Sequence, residues 1–144
     1  YIQGENLSNT SSAQRIGSEV SLARGSVIEG KEVSLNMTGR VINGFNDLGG
    51  TERKPDGVLI DHRYGAQTEL SGISGSNGTY ILSRDFENRG IIGSGGTTYI
   101  ESKNRVINEN TGTLNTGRIY GHDILIEGKN DIINGGGIIK AGNG

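Results

Sequence analysis

The chain contains no cysteine and no tryptophan, and its 144 residues include one proline, two histidines, two phenylalanines and five tyrosines. Without cysteine there are no disulfide bonds and no thiolate metal sites. We expect no bound metal or cofactor, because no H-x-x-x-H spacing occurs either. Apolar runs stay far below the ~20 residues of a membrane-spanning helix, so we do not expect a membrane-embedded protein. The net charge of −2 predicts no nucleic-acid partner.

What the chain does have is glycine and β-branched residues. Glycine accounts for 26 residues, whereas alanine and leucine, the good helix formers, are scarce. The apolar residues come in short clusters such as Val41-Ile42, Ile91-Ile92 and Ile124-Leu125-Ile126. Glycine, asparagine and aspartate separate these clusters at short intervals. This pattern predicts an all-β protein with many short strands and frequent turns.

The chain also repeats itself. Residues 97–108 and 123–134 are identical at six of twelve positions, and residues 32–43 form a third, weaker copy. Each copy ends in an asparagine (Asn43, Asn108 or Asn134), which follows an apolar residue by eight positions. Each unit holds about 20 residues and three apolar patches separated by turns. Three such patches favour one coil of a parallel β-helix over a leucine-rich repeat.

A stack of such coils would superimpose equivalent side chains in ladders. We expect Ile100 on Ile126 and Ile107 on Ile133 in the interior, and Asn43, Asn108 and Asn134 at equivalent corners. Asparagine tolerates left-handed backbone geometry there. A second corner aligns Gly39, Asn104 and Asn130, which suggests a positive φ angle. The alternative is a β-sandwich with ordinary turn asparagines, but a sandwich gives no reason for a repeated sequence.

Residues 44–86 break this register. They contain the single proline, Pro55, and a glycine- and serine-rich stretch, 71–78. We interpret the segment as an irregular insertion or as degenerate coils within one β-helix that spans residues 1–144, itself a fragment of a larger protein. A solenoid tolerates long insertions because each coil contacts only its neighbours.

Catalytic groups are few. The densest cluster of functional residue types is Asp61, His62, Arg63 and Tyr64, in the irregular segment. We interpret it as a possible recognition loop, although an Asp61–His62 pair for general base catalysis is the alternative. His122 is expected in a solvated turn. Glu101 and Lys103 align with Glu127 and Lys129, and we interpret these four as solvated corner charges. We therefore predict no enzymatic activity.

Three segments resemble the repeat of filamentous haemagglutinin-type exoproteins. They are residues 87–92, 115–126 and 134–142, which approximate the pattern N-x-G-x-I-x-(A/G)-x-x-(L/I)-x-I. This family comprises large adhesins, haemolysins and the stalks of contact-dependent growth-inhibition toxins of Gram-negative bacteria. The likeness covers residues 87–142 well and 25–43 passably, and it does not include 44–86.

The resemblance implies a right-handed parallel β-helix that is secreted or held at the bacterial cell surface. It also implies two partners: an outer-membrane transporter of two-partner secretion during export, and a receptor or glycan on a host or target cell. The expected function is that of a filament scaffold and binding surface. A carbohydrate-active β-helix enzyme, a polysaccharide lyase or hydrolase, is the alternative.

Overall fold

The structure is a computed structural model. It describes residues 1–11, 13–16, 19–22, 27–45, 51–53, 59–61, 72–109 and 117–142, with side chains for 1–9, 27–44, 72–109 and 117–142. The described residues form fifteen strands and no helix. The strands are β1 (Ile2–Gly4), β2 (Leu7–Ser11), β3 (Ala13–Ile16), β4 (Glu19–Leu22), β5 (Val27–Met37), β6 (Arg40–Phe45), β7 (Thr51–Arg53), β8 (Leu59–Asp61), β9 (Gly72–Asn88), β10 (Ile91–Ser94), β11 (Thr97–Glu109), β12 (Arg118–Gly121), β13 (Asp123–Gly128), β14 (Asp131–Gly135) and β15 (Ile138–Ala141).

Eleven of these strands belong to one sheet in which every strand pairing is parallel. Their register divides the sheet into three stacks of equivalent segments. The first stack contains 27–30, 72–75, 91–94, 118–121 and 138–141. The second contains 2–4, 32–37, 78–83, 97–102 and 123–128. The third contains 7–11, 40–45, 85–88, 105–109 and 131–135.

The chain passes through the first, second and third stack in turn and then starts again, and we call each such passage a rung. The rungs are 27–45, 72–88, 91–109 and 118–135, with partial rungs at 1–11 and 138–141. The all-β content and the parallel pairing are as predicted, and the arrangement is compatible with a β-helix or solenoid. Parallel pairing at this density explains why β-branched residues dominate the strands.

Three intervals interrupt the rungs: 12–26, 46–71 and 110–116. All three follow a strand of the third stack and precede a strand of the first, so they leave the sheet at the same corner. Within the two longer intervals β3 pairs with β4, and β7 pairs with β8, both antiparallel. The additions to the basic rung are therefore confined to one corner.

The structure describes residues 72–86 of the segment 44–86, which we interpret from the sequence as an irregular insertion or as degenerate coils. They belong to β9, which pairs with β5 and β6 on one side and with β10 and β11 on the other. This rung departs from the repeat in sequence but not in structure. Thr79 takes the place of Val33, and Phe86 takes the place of Val41.

The core lies between the stacks and consists of aliphatic columns. Leu35, Ile81 and Ile100 are register neighbours in the second stack, and each is 0% exposed. The columns Ile73–Ile92–Ile119 and Val41–Phe86–Val106 fill the first and third stacks. Apolar side chains at equivalent positions of successive rungs are thus stacked on one another. Burial of this apolar surface is the main stabilising contribution, at about 25 cal/mol per Å².

The inward side chains of the last rungs are less well covered. Ile126 is partly buried, whereas Ile132 is 51% and Ile139 is 37% exposed. Within the described residues β13, β14 and β15 each pair on one side only. Ile126 and Ile100 belong to the same column, but burial of the Ile126 side chain therefore contributes less to the free energy of unfolding.

Alanine substitutions at two stacked serines should change the free energy of unfolding in opposite directions. Ser83 and Ser102 are register neighbours facing the interior of the second stack. Ser102 Oγ donates to the carbonyl oxygen of Arg84 at 2.6 Å, while Ser83 Oγ has no hydrogen-bond partner among the described residues. Ser83→Ala should raise the free energy of unfolding by about 1 kcal/mol, and Ser102→Ala should lower it by about 1–2 kcal/mol. Equilibrium denaturation in urea measures both values, and a destabilised Ser83→Ala variant would contradict the prediction.

Candidate functional site

A column of five asparagines runs through the third stack and is the most regular polar feature of the described residues. The side-chain amide of each donates to the side-chain oxygen of the next, at 2.8–2.9 Å. Asn43, Asn88 and Asn108 are 0% exposed, and Asn9 is 5% exposed. The members, from one end to the other, are Asn9, Asn43, Asn88, Asn108 and Asn134. We call this column the asparagine ladder.

The ladder also ties the third stack to the first. The amide of Asn43 donates to the carbonyl oxygen of Ile91 at 3.2 Å, and that of Asn88 donates to the carbonyl oxygen of Arg118 at 3.2 Å. Asn88 Oδ1 also accepts from the backbone N–H of Gly90 at 3.1 Å. Each amide thus satisfies backbone groups at the corner where the chain turns towards the next rung. Buried polar groups require such partners, because an unsatisfied group costs about 1–3 kcal/mol.

The sequence predicted three of the five members and missed Asn9 and Asn88. The spacing along the chain explains the omission, since consecutive members are 34, 45, 20 and 26 residues apart. The intervals between rungs destroy any fixed period. A local signal did exist, because Asn88 and Asn134 are both followed closely by glycine and then Ile-Ile.

The backbone geometry expected at the corners was wrong. Among the described residues only glycines have a positive φ angle, namely Gly44, Gly117, Gly136 and Gly142. Neither the ladder asparagines nor Gly39, Asn104 and Asn130 are among them. The ladder asparagines act through their side-chain amides rather than through left-handed backbone. Gly44, directly after Asn43, takes the unusual conformation instead, with φ 115°.

The structure places Ile100 beside Ile126 and Ile107 beside Ile133. Ile100 faces the interior. Ile107 is only partly buried and Ile133 is 44% exposed, so this second pair lies on the outer surface. The reason is strand alternation: Asn108 faces inward, which turns Ile107 outward. The expectation of an interior Ile107–Ile133 stack was therefore wrong.

A second polar column follows the corner between the second and third stacks. Asn130 donates to Asn104 Oδ1 at 2.6 Å, and Asn104 donates to Asp85 Oδ1 at 2.6 Å. Arg84 lies 2.9 Å from the same aspartate. The hydrogen bond from Asn104 and then the contact with Arg84 hold the pKa of Asp85 below its ordinary value.

This lowered pKa predicts a pH dependence of stability. A carboxyl group with a depressed pKa in the folded state stabilises the fold at pH values above the ordinary value of ~4, and this contribution disappears as the pH falls through the lowered pKa. Asp85→Asn should therefore cost most at neutral pH and least in acid. Denaturation curves over a pH series measure the difference. Asn104→Ala should raise the pKa of Asp85 in an NMR titration; a pH-independent cost of Asp85→Asn would contradict the prediction.

Charges of opposite sign alternate on the outer surface of the third stack. Arg40, Asp85, Arg105 and Asp131 are successive register neighbours. Arg40 contacts Glu87 at 2.9 Å, and Arg89 bridges Glu87 and Glu109 at 3.0 and 2.8 Å. Exposed ion pairs contribute about 0–1 kcal/mol each, whereas Glu87 and Arg89 form partly buried pairs, with side chains that are 15% and 24% exposed. They leave this surface polar and close to neutral.

The predicted corner charges Glu101 and Glu127 are adjacent, since they pair in register between β11 and β13. Glu101 Oε2 accepts a hydrogen bond from the Tyr99 hydroxyl at 2.9 Å, and this bond raises the pKa of Tyr99. His122 is exposed at the corner after β12. Glu101 and Lys103 also line a small cavity of ~180 Å³.

The proposed recognition loop lies largely outside the described residues. Asp61 ends β8 and is described by its backbone alone, and His62, Arg63 and Tyr64 lie beyond the described part. Within the part that is described, no group of three or more histidine, cysteine, aspartate or glutamate side chains could hold a metal ion. The described part also has no helix with the length and apolar character needed to cross a membrane.

Comparison with known proteins gave no matching family model, no matching curated protein and no matching solved structure.

Proposed function

We propose that this chain is a segment of an extracellular, right-handed β-helical exoprotein that serves as a filament scaffold and as a surface for binding host or neighbouring cells. The observation that carries the proposal is the asparagine ladder inside repeated parallel rungs. It occupies the one polar column of the interior that hydrogen-bonds continuously from rung to rung in the described residues. A scaffold needs this continuity, whereas a catalyst needs converging reactive groups.

The distribution of side chains supports a load-carrying role. Inward positions hold aliphatic columns and asparagines, while charges occupy outward positions and corners. Backbone hydrogen bonds between parallel strands run along the stacking direction, so an axial pull is opposed by many bonds in parallel. The outward side chains of the described rungs provide the surface that would bind a partner.

The route to the cell exterior follows from the repeat resemblance of 87–92, 115–126 and 134–142. An outer-membrane transporter of two-partner secretion would pass the chain unfolded, and the rungs would form outside. The absence of cysteine suits such passage, since a disulfide formed in an oxidising compartment would trap a folded loop. The receptor or glycan at the target cell would meet the outer surfaces of the stacks.

An export assay tests this proposal. The full chain is placed between the secretion domain of a two-partner exoprotein and an epitope tag, and is expressed with the cognate transporter. We expect the tag to reach the cell surface, as measured by antibody labelling of intact cells. Failure of the unmodified chain to be exported under conditions that export the parent exoprotein would contradict the proposal.

A cysteine pair supplies the matched control. Glu101 and Glu127 are outward-facing register neighbours, and adjacent strands ~4.8 Å apart suit a disulfide. The double variant Glu101→Cys, Glu127→Cys should block export in an oxidising periplasm, and a reductant should restore it. The single variant Glu101→Cys should be exported normally. Equal export of the oxidised double variant would show that the chain does not cross unfolded.

A further inference from the structure

The outer surface of the first stack contains a groove of ~400 Å³ near its C-terminal end. Its walls come from three rungs: Ile91 from one, Arg118 and Tyr120 from the next, and Ile138 and Lys140 from the last. The groove exists because the neighbouring outward positions are small. In one outward column Gly72 is the register neighbour of Ile91 on the rung before it. In the other column Ser74 and Gly93 occupy the two rungs before Tyr120.

Tyr120 lies flat across Gly93. A Cβ atom built on Gly93 would collide with Cζ, Cε1 and Cε2 of the Tyr120 ring at nearly equal distances, so the ring plane faces the glycine. Tyr120 remains 43% exposed, so part of its side chain is accessible to solvent. Any larger residue at position 93 would displace the ring. The pairing of this glycine and this tyrosine therefore builds a fixed aromatic platform.

The two cations of the groove, Arg118 and Lys140, form no ion pair with a carboxylate of the described residues. Of the arginines whose side chains are described, Arg40, Arg84, Arg89 and Arg105 all form ion pairs, and Arg118 does not. Lys140, the register neighbour of Tyr120, also forms no ion pair with the described residues. The nearest acidic residue along the chain is Asp123. It is the first residue of β13, which lies in the second stack beyond the corner. Two unneutralised cations thus flank one exposed aromatic face.

We propose that this groove binds an acidic carbohydrate, with one sugar ring stacked on Tyr120 and a carboxylate or sulfate group held by Arg118 and Lys140. The apolar face of a sugar ring matches an aromatic face, and a guanidinium group binds oxyanions through two parallel hydrogen bonds. The cations lie on neighbouring rungs, ~4.8 Å apart along the stack, and so can meet an extended chain. An acidic peptide supplies carboxylates without the apolar face of a sugar ring, and an anionic membrane does not fit into a groove. The inference rests on the proposed surface-binding function and assigns it a place and a ligand class.

Binding by the full chain to size-defined oligosaccharides tests the proposal. The probes are a heparin oligosaccharide, a polygalacturonate fragment and a neutral dextran fragment of equal length, measured by isothermal titration calorimetry. We expect binding of the two acidic probes, weakening with added salt, and none of the neutral probe. Tyr120→Ala should weaken acidic binding by about tenfold, and the double variant Arg118→Gln, Lys140→Gln should weaken it further.

The second stack provides matched controls. Tyr80 is 37% exposed and its ring also packs on a glycine, Gly78, while Arg84 is an exposed arginine with a carboxylate partner. Tyr80→Ala and Arg84→Gln should leave binding unchanged. Equal losses in these controls, absence of binding by either acidic probe, or equally tight binding of polyglutamate or phosphatidylserine vesicles would each overturn the proposal. Hydrogen exchange of the rungs reports separately on the scaffold, which would remain intact if only the groove assignment failed.

Discussion

Replacing Asn88 with alanine should lower the free energy of unfolding by about 4 kcal/mol. Asn88 is 0% exposed, accepts from Asn43 and from the backbone of Gly90, and donates to Asn108 and to the carbonyl of Arg118. Alanine removes all of these partners at once. Several buried polar atoms then remain without hydrogen bonds, and each such atom costs about 1–3 kcal/mol. Local relaxation of the structure recovers part of this cost. Urea denaturation followed by circular dichroism measures the change.

Asn134 is the matched control for this prediction. It has the same side chain in the same ladder, but it is exposed and donates only to the carbonyl oxygen of Gly137, at 3.0 Å. Water can replace the lost partners there, so Asn134→Ala should cost about 1 kcal/mol or less. Similar losses in the two variants would mean that the ladder does not act as a buried network. Hydrogen exchange should also show faster exchange at residues 88–91 in Asn88→Ala.

The sequence predicted the register of the last two full rungs because no interval disturbs their internal spacing. Residues 97–108 and 123–134 have the same length, and they pair in register from Thr97 with Asp123 to Asn108 with Asn134. Matching side chains are therefore also neighbours in space. Where coils stack, residues at equivalent positions of a repeat are neighbours in space, so the repeat placed Asn108 beside Asn134 and Ile100 beside Ile126.

For two physical reasons the sequence did not predict the bounds and the register of the rung 72–88, although degenerate coils were one interpretation of residues 44–86. Its inward positions carry Thr79 and Phe86, which fill the columns as well as aliphatic residues do but do not resemble them in sequence. Its register also slips at the corners, between Gly30 and Glu32 of the preceding rung and between Ser102 and Arg105 of the following one. An ungapped comparison fails at such slips, although strand pairing resumes after them.

The groove of the first stack was beyond the reach of sequence reasoning. Gly93 and Tyr120 belong to different rungs, and neither belongs to a motif that signals binding. Their contact follows from the parallel pairing of β10 with β12, which no repeat in the sequence signals at these two positions. The outward column places Tyr120 over Gly93 only when β10 and β12 are paired.

Ile100→Asp should abolish the cooperative unfolding transition. Ile100 is 0% exposed and stands between Ile81 and Ile126 in an aliphatic column. A carboxylate there would lose its hydration without gaining a cation, a cost of several kcal/mol, which is comparable to the whole stability of a domain of this size. Far-UV circular dichroism against temperature provides the measurement. The milder Ile100→Ala should retain the transition with a loss of about 3 kcal/mol, so the site can be tested even where the aspartate variant does not fold.

Two further aspartate variants test whether the destabilisation depends on the position in the column or only on the loss of an apolar side chain. Leu125→Asp changes an outward residue that is 49% exposed, and it should alter the free energy of unfolding by no more than about 0.5 kcal/mol. Ile126 lies in the same column as Ile100, but its strand β13 pairs on one side only within the described residues. Ile126→Asp should therefore release β13 from the stack, while the remaining rungs still melt cooperatively. The expected order of destabilisation is Ile100, then Ile126, then Leu125. A cooperative melt of Ile100→Asp at the wild-type temperature would show that Ile100 is not in the core and would contradict the column arrangement.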